Sequence, residues 1–284
     1  MFNKITIVGM GLIGGSVGMA CRQKGLAEKV VGVVRRTSAI QEVLDHAAAD
    51  EVSLDIGEGA ASADLLVMAT PVEAMPVLAR QARSALKRSC IVTDVGSVKR
   101  SVVSRMERVL KSTCHYVGAH PMAGSEKSGI RIASPTLFEG ATCIITATRN
   151  SSPTAVRKVR RFWEALGCGV VYLSPQQHDL SIALVSHLPH VAASSLVNVL
   201  ARSSRDPLAT MKLAGKGFKD TTRIAGASPK LWAGICLENR DALLRHLENY
   251  RQELSEFAAL LENEDRGGLQ GFFERARELK ERSS

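Results

Sequence analysis

Short apolar runs alternate with helical patterns through the first half of the chain. Continuous apolar strands separated by helices are typical of a parallel sheet that is covered on both faces, so we predict an α/β fold. The runs that predict strands are Lys4–Val8, Lys29–Val34, Asp64–Ala69, Cys90–Asp94, Tyr116–Ala119, Thr142–Ala147 and Gly169–Leu173. Apolar residues three and four apart predict helices at Gly14–Lys24, Val72–Leu86, Lys99–Leu110 and Pro153–Leu166.

The pattern changes near Ser174. Residues Ser174–Gln177 combine an N-cap serine, a proline at the first helical position and a glutamine at the third, which predicts a helix with a capping box. No strand pattern recurs beyond it, and the leucines between Leu243 and Leu261 keep helical spacing with charges between them. We therefore predict an α/β domain at residues 1–174 and an all-helical domain at residues 175–284, whose aliphatic faces suggest an oligomer interface.

The charge balance does not point to nucleic acid. The 284 residues carry a formal net charge of +9, with 45% hydrophobic and only 4% aromatic residues. Single-stranded nucleic acid is usually bound by cations interleaved with aromatic residues. The longest basic run here, Arg157–Arg161, contains no aromatic residue and fits the solvated face of a helix. An excess of cations also suits a small anionic substrate, so the charge alone does not decide between the two kinds of partner. Because no basic run interleaved with aromatic residues is present in the sequence, we expect no nucleic-acid partner.

Cysteine usage and hydropathy predict a protein of the reducing cytoplasm that has no membrane segment. The six cysteines are scattered without a Cys-x-x-Cys pair. Residues 5–21 are uncharged like the core of a signal peptide, but five glycines and a strand-turn-helix pattern argue against one. No other segment approaches the roughly 20 apolar residues that a membrane helix needs.

A glycine pattern follows the first predicted strand directly. Gly9, Gly11 and Gly14 form Gly-x-Gly-x-x-Gly, in which the first glycine permits a tight turn, the second lets the backbone approach a pyrophosphate and the third lets helix pack on strand. The pyrophosphate would meet the amide end of the helix at Leu12 and Ile13. This predicts a Rossmann-type, doubly wound domain that binds a dinucleotide. The alternative is a glycine-rich turn without a ligand.

The end of the second strand bears on which dinucleotide binds. NAD sites usually place an acidic residue here for the ribose hydroxyls, and none occurs between Glu28 and Glu42. Arg35 and Arg36 stand there instead and could hold a 2′-phosphate. We therefore favour NADP over NAD, although two solvated arginines are compatible with either.

Four further segments carry candidate chemistry. Ser97 follows the fourth predicted strand, as an N-cap or as part of a site. His120 follows the fifth at the carboxyl edge of the sheet, where ligands of such folds bind, although a lone histidine is often structural. Ser186–His190 reads SHLPH, in which Pro189 should kink the helix and the two histidines share a face, with no third metal ligand at a recognisable spacing. Gly217–Arg223 reads GFKDTTR, which would also suit an exposed, salt-bridged helix end.

Taken in order, these motifs resemble the prephenate/arogenate (cyclohexadienyl) dehydrogenase family. The matching motifs are GMGLIGGS, DVGSVK, HPMAGSEKSG, SHLPH, GFKDTTRIA and SPKLW, and the resemblance spans essentially the whole chain. It implies an NAD(P)-dependent enzyme of tyrosine biosynthesis that oxidises and decarboxylates a cyclohexadienyl dicarboxylate. It also implies that the helical domain forms a homodimer and completes the active site.

The same resemblance implies roles for individual residues. His120 would hydrogen-bond the ring hydroxyl of the substrate during catalysis, and Ser97 would lie between that hydroxyl, the histidine and the nicotinamide. Arg223 resembles the arginine that binds a substrate carboxylate. The other residues implied in substrate binding are His190, Ser125, Glu126, Lys219, Asp220 and Trp232.

Alternatives remain for the substrate and for the class of protein. SHLPH looks more like the motif of prephenate users, because a non-basic last residue is typical of arogenate users. A β-hydroxyacid dehydrogenase would explain the fold, but no lysine on a long helix is singled out as its catalytic residue. A regulatory protein that binds NADP without turnover is the alternative from another class.

Overall fold

The computed structural model describes residues 2–111 and 113–282. Its strands are β1 (Phe2–Val8), β2 (Ala27–Val33), β3 (Glu51–Ser53), β4 (Leu65–Met68), β5 (Ile91–Asp94), β6 (His115–Pro121), β7 (Thr142–Thr146) and β8 (Gly169–Tyr172). They form one sheet in the order β3-β2-β1-β4-β5-β6-β7-β8. Every predicted strand is present. The hydrophobic pattern does not predict β3, because three residues reading Glu-Val-Ser are too few to show one.

Helices fill most of the connections, and after Ser174 the described chain contains helices and loops without a strand; this part is called the helical half below. The helices that precede β8 are α1 (Leu12–Gln23), α2 (Ser38–Asp45), α3 (Ile56–Ala60), α4 (Met75–Ala82), α5 (Arg100–Leu110) and α6 (Pro153–Ala165). Then follow α7 (Pro175–Ile182), α8 (Leu188–Ser203), α9 (Pro207–Lys212), α10 (Lys216–Thr222), α11 (Pro229–Glu238), α12 (Arg240–Glu262) and α13 (Arg266–Glu281). The four predicted helices are present, although α4 is shorter than the predicted Val72–Leu86.

The sheet is mostly parallel, but one pairing contradicts the predicted parallel sheet. β7 runs antiparallel to β6, with Gly118 opposite Thr146, whereas the other neighbouring strands are parallel. Parallel neighbours need a crossover connection, usually a helix. Residues 122–141 between β6 and β7 contain only a short 3-10 turn at Ile130–Ile132, so the chain reverses. The carboxyl ends of β1, β4, β5 and β6 therefore share one edge of the sheet.

Both faces of the sheet are buried. Leu65 and Val67 belong to one apolar cluster, and Leu66 and Met68 belong to another, because successive side chains of a strand point to opposite faces. Residues of α1 and α6 cover the first face, and residues of α4 and α5 cover the second. Burial on both sides explains why the strands read as continuous apolar runs.

The helical half begins with the predicted capping box. The Ser174 hydroxyl accepts a hydrogen bond from the Gln177 backbone, and the Gln177 side chain accepts one from the Ser174 backbone at 3.1 Å. Pro189 lies in the first turn of α8. A π-helical turn at Ala183–His187 lies immediately before α8, and the predicted kink at Pro189 stays a prediction.

The helical segment Pro175–Ser203 is long and apolar enough to cross a membrane by length and composition alone. The prediction that no segment beyond residues 5–21 approaches the length of a membrane helix is therefore wrong, because charged residues are sparse over this stretch although polar ones interrupt it. Helices that pack inside a protein can pass the same test. Three polar side chains of this segment are buried, namely His178, Asp179 and His187. Their partners, described below, belong to the same compact unit as the sheet.

Two compact units divide at Asn239 and Arg240. In the second unit α12 and α13 pack through Phe257, Phe272 and Phe273, whose ring centroids lie 5.1–5.9 Å apart. The change from strands to helices lies near Ser174 and does not coincide with the division between the two compact units. The predicted division into residues 1–174 and 175–284 stays a prediction.

Candidate active site

Three glycines shape the turn between β1 and α1. Gly9 has φ +95°, and a Cβ there would lie 2.6 Å from the carbonyl oxygen of Ala69. A Cβ at Gly14 would lie 1.9 Å from the carbonyl oxygen of Gly9, so the turn closes only with glycine at both positions. A Cβ at Gly11 would meet nothing within 4 Å. Open space therefore lies over the backbone of Gly11.

The first turn of α1 adjoins this open space. Gly11 is the N-cap, no side chain caps the helix, and its first turn holds no acidic residue. The first amide groups of a helix lack partners within the helix, and its dipole is positive at that end. The backbone at Leu12 and Ile13 can therefore bind an anion, and the pyrophosphate of a dinucleotide fits here.

Arg35 and Arg36 follow β2, which pairs with β1, and both side chains are exposed. Their guanidinium groups suit a phosphate on the ribose next to the pyrophosphate site. No carboxylate between Glu28 and Glu42 competes for that ribose. The residues of this edge thus fit an NAD(P) cofactor.

A cavity of about 540 Å³ adjoins the glycine turn. It lies between the carboxyl edge of the sheet and helices of the second half. The predicted site residues that line it are Gly11, Leu12, Ile13, Ser97, His120, Ser125, Glu126, His190, Arg223 and Trp232. Lys219 and Asp220 on α10 are exposed and do not line it, so their position does not support the predicted role in substrate binding.

His120 lies near the end of β6 and is buried. Its Nδ1 lies 2.8 Å from Nε2 of His178 on α7, which leaves Nε2 of His120 for a ligand. Burial, together with the nearby His178 and Lys99, holds the pKa of His120 well below its ordinary value. The imidazole is therefore neutral near pH 7 and can accept a hydrogen bond.

Ser97 lies in the loop between β5 and α5, and its predicted alternative role as N-cap is wrong. The N-cap is Lys99, and Asp179 accepts hydrogen bonds from the backbone N–H groups of Lys99 and Arg100 at 2.7 and 2.9 Å. This carboxylate comes from α7, far along the chain. Because Asp179 caps α5, Ser97 is left to line the cavity.

A buried ion pair between Lys99 and Asp94 fixes the loop that carries Ser97. Nζ of Lys99 lies 2.5 Å from Oδ2 of Asp94 and 2.7 Å from the carbonyl oxygen of Gly96. The Tyr116 hydroxyl donates to the other oxygen of Asp94 at 2.8 Å. Buried charges are tolerated only when their partners are this complete, so the cluster fixes the loop.

The helical half contributes a cation and a stacked ring pair to the cavity. Nη1 of Arg223 donates to Oε2 of Glu126 at 2.7 Å. The Glu126 backbone N–H and this guanidinium hold the pKa of the carboxyl below its ordinary value. The His190 ring stacks on Trp232 with centroids 3.6 Å apart, and its Nδ1 donates to the Ser186 carbonyl oxygen at 3.0 Å. Nε2 of His190 is thus the nitrogen left for a ligand.

Sequence reasoning missed His178 and Asp179. Nδ1 of His178 lies 2.7 Å from Oδ1 of Asp179, and Asn239 donates to the Asp179 carbonyl oxygen at 2.8 Å. A signal was present in the chain, since this His-Asp pair follows the capping box and opens a largely apolar helical segment. Buried polar groups need partners, so such a pair indicates a hydrogen-bonded network.

An anion site at the amide end of α1, opening into a cavity with an acceptor imidazole, defines the class: an NAD(P)-dependent oxidoreductase. Residues 17–172 match the family description "Prephenate dehydrogenase, nucleotide-binding domain". Residues 174–275 match "Prephenate dehydrogenase, dimerization domain". The chain belongs to the prephenate dehydrogenase family.

Relatives match along nearly the whole chain. The chain is 32% identical to the prephenate dehydrogenase of Bacillus subtilis (strain 168) over 282 residues, 99% of this chain and 76% of the relative. It is 32% identical to the cyclohexadienyl dehydrogenase of Zymomonas mobilis over 272 residues, 93% of this chain and 90% of the relative. The crystal structure of A. aeolicus prephenate dehydrogenase with hydroxyphenyl propionate and NAD+ superposes with a TM-score of 0.93 at 31% identity, covering 100% of this chain and 99% of that one. The predicted family, fold class and use of NAD(P) are confirmed.

Proposed function

We propose that this protein converts prephenate to 4-hydroxyphenylpyruvate and carbon dioxide while reducing NADP. The observation that carries the proposal is that His120 and Arg223, from the two halves of the chain, line one cavity together with the glycine turn. A dinucleotide in that turn would place its nicotinamide toward the same cavity. When bound, the nicotinamide supplies a hydride acceptor.

His120 supplies the proton chemistry of the proposed reaction. Its neutral Nε2 accepts the proton of the ring hydroxyl as hydride leaves the carbon that carries this hydroxyl. The bond to the ring carboxylate then breaks, carbon dioxide leaves, and the electron pair makes the ring aromatic. The proton returns to the ring oxygen, so the histidine ends neutral. Such acid–base assistance is typically worth about 10²–10⁴ in rate. Ser97 lines the same cavity and is proposed to orient the hydroxyl.

Arg223 is proposed to bind a carboxylate of the substrate. Its guanidinium already bonds one carboxylate, that of Glu126, at 2.7 Å. A planar guanidinium matches a carboxylate at two points, which lysine does not do. His190, Ser125 and Trp232 are proposed to contact the substrate side chain. We favour prephenate over arogenate because a basic residue ends the SHLPH motif, and Arg35 and Arg36 favour NADP over NAD.

The proposed assembly is a homodimer formed through the helical half. The matched family description of residues 174–275 is a dimerization domain. Large apolar side chains on α8 are exposed, including Leu196 and Val199, and a second copy would cover such a face. The six cysteines are unpaired, which suits a reducing compartment, and we propose the cytoplasm.

A single absorbance assay tests the function. The purified protein is mixed with prephenate or arogenate and with NADP or NAD, and the reduced cofactor is followed at its absorbance band. We expect turnover with prephenate and NADP and a fall of at least about 10²-fold in kcat for His120→Asn with dinucleotide binding retained. Turnover with arogenate but not with prephenate would identify arogenate as the substrate and contradict the proposed choice of prephenate. Dinucleotide binding without turnover on either acid would favour the regulatory alternative.

A further inference from the structure

Three buried side chains form a line that leads away from the cavity. Nδ1 of His120 lies 2.8 Å from Nε2 of His178, and Nδ1 of His178 lies 2.7 Å from Oδ1 of Asp179. The three residues are 8%, 0% and 4% exposed. Because the three side chains are buried, water does not compete for these hydrogen bonds. Both ring nitrogens of His178 are bonded within the line, whereas His120 is bonded through Nδ1 and directs its Nε2 away from it.

The direction of these hydrogen bonds follows from Asp179. Its two oxygens also accept from the backbone N–H groups of Lys99 and Arg100, and an ionised carboxylate only accepts. Nδ1 of His178 must therefore carry a hydrogen and donate it to Asp179. Burial lowers the pKa of His178, so this ring is neutral and its Nε2 is an acceptor. Nδ1 of His120 then donates to His178.

We propose that His178 and Asp179 are positioning residues that hold His120 in the tautomer with its hydrogen on Nδ1. This inference rests on the function proposed above, in which Nε2 of His120 accepts the proton of the substrate hydroxyl. A neutral imidazole has two tautomers, and the other one would turn an N–H toward that hydroxyl and could not accept. The chain of bonds therefore sets the one form of His120 that works as a base.

The same line stabilises the charged form of His120. After Nε2 takes a proton, the Nδ1–H group still has an acceptor in His178, and the carboxylate of Asp179 lies beyond it. Hydrogen bonds in a chain polarise one another, which favours the transient imidazolium. Burial acts in the opposite direction and is the largest cause of the lowered pKa of His120. The nearby His178 ring, the buried cation of Lys99 from the β5–α5 segment and His187 from the π turn lower it further.

Asp179 also fixes the second catalytic segment. By capping α5 it holds the start of the helix that directly follows the Ser97 loop. One carboxylate of the helical half thus orients two groups of the sheet edge, Ser97 through the helix and His120 through His178. The predicted consequence is that damage to this line lowers kcat and leaves substrate binding at Arg223 largely unchanged.

Variants at His178 separate positioning from packing. His178→Leu removes the acceptor, and we expect kcat to fall at least about 10²-fold, as for loss of a catalytic base. The KM for prephenate and the Kd for NADP should stay within about 3-fold. His178→Gln offers an amide oxygen near the position of Nε2 and should restore kcat to within about 10-fold of wild type. The matched control is Asn239→Ala, which removes a buried hydrogen bond to the backbone carbonyl of Asp179 and a contact with His187. It removes no hydrogen bond of the Asp179 carboxylate, of the His178 ring or of the His120 ring, so it should lower Tm but not kcat.

Nitrogen-15 NMR of the histidine rings measures the tautomer of His120 independently of enzyme activity. In wild-type protein without cofactor near pH 7.5, His120 should carry its hydrogen on Nδ1. A hydrogen on Nε2 would overturn the proposal, as would equal losses of kcat in His178→Leu, His178→Gln and Asn239→Ala. If wild-type protein has no turnover at all, the proposed function fails, and the NMR measurement still decides the tautomer.

Discussion

Gly11 and Gly14 lie three residues apart in the same turn, yet a methyl group should act on them in opposite ways. A Cβ at Gly14 would lie 1.9 Å from the carbonyl oxygen of Gly9, which is backbone and cannot turn aside. A Cβ at Gly11 would meet nothing within 4 Å, and the backbone there is extended, with φ −86° and ψ −152°. Gly14→Ala should therefore damage the fold, and Gly11→Ala should damage only binding.

The magnitudes follow from these contacts. Alanine is a poorer N-cap than glycine by roughly 0.5–1 kcal/mol, but it also reduces the entropy of the unfolded chain by about the same amount. Tm of Gly11→Ala should thus stay within about 2 °C of wild type. Gly14→Ala must move backbone by more than an ångström, for which about 3 kcal/mol is a low estimate, and this lowers Tm by roughly 6–12 °C. A methyl that keeps the pyrophosphate from the amides loses a charge-assisted hydrogen bond, worth about 1.5–3 kcal/mol, so dinucleotide affinity should fall about 10- to 150-fold in Gly11→Ala.

Thermal unfolding and calorimetric titration with NADP and NAD measure both effects on the same samples. The expected result for Gly11→Ala is an unchanged Tm with weakened binding. Wild-type affinity in Gly11→Ala would refute the placement of the pyrophosphate over this residue. A Tm for Gly14→Ala equal to that of wild type would refute the packing argument.

Three further predictions concern charge. Burial lowers the pKa of His187 to about 4 from an ordinary 6.5. Between these two pH values the unfolded chain binds a proton at this residue and the folded chain does not. The contribution of His187 to the free energy of unfolding is therefore complete above pH 6.5 and is lost as the pH falls towards 4. Urea unfolding at pH 7 and pH 5 should show a pH-dependent loss about 2 kcal/mol smaller in His187→Gln than in wild type, and equal losses would contradict this. Lys99→Met leaves the buried Asp94 carboxylate without its cation, and urea unfolding should show a loss of about 3–5 kcal/mol. The control is Lys87→Met at the part-exposed ion pair of Lys87 with Asp64, which should cost about 0–1 kcal/mol. Similar losses in the two variants would count against the buried cluster. Arg223→Lys should raise the KM for prephenate about 10- to 100-fold with little change in kcat, because one charge-assisted hydrogen bond is lost, and steady-state kinetics with an unchanged KM would remove Arg223 from substrate binding.

Local signals in the sequence were enough for much of the fold. Seven strands, the glycine turn and the capping box at Ser174 depend on residues close together in the chain, so pattern and propensity predict them. The reversed strand β7 was not predictable in this way, because Thr142–Thr146 reads like its parallel neighbours. β7 runs antiparallel because residues 122–141 contain no crossover helix that would return the chain to the start of a parallel strand.

Long-range contacts limited prediction of the site. Ser97 has the sequence of an N-cap, and only the folded chain shows that Asp179 performs this role from α7. His120 could be recognised from its motif and its position after a strand. Its partner His178 could not, because the distance along the chain gives no sign that the two rings meet.

The π-helical turn at Ala183–His187 gives this part of the chain a tolerance to changes of length. Such a turn holds one residue more than an α-helical turn, and the extra residue is accommodated within the turn itself. Deleting a single codon between Ala183 and Val185 would let the segment close as ordinary α-helix, with His190 still on the face that stacks on Trp232. A homologue one position shorter here would therefore keep the same cavity-lining face together with an unaltered SHLPH.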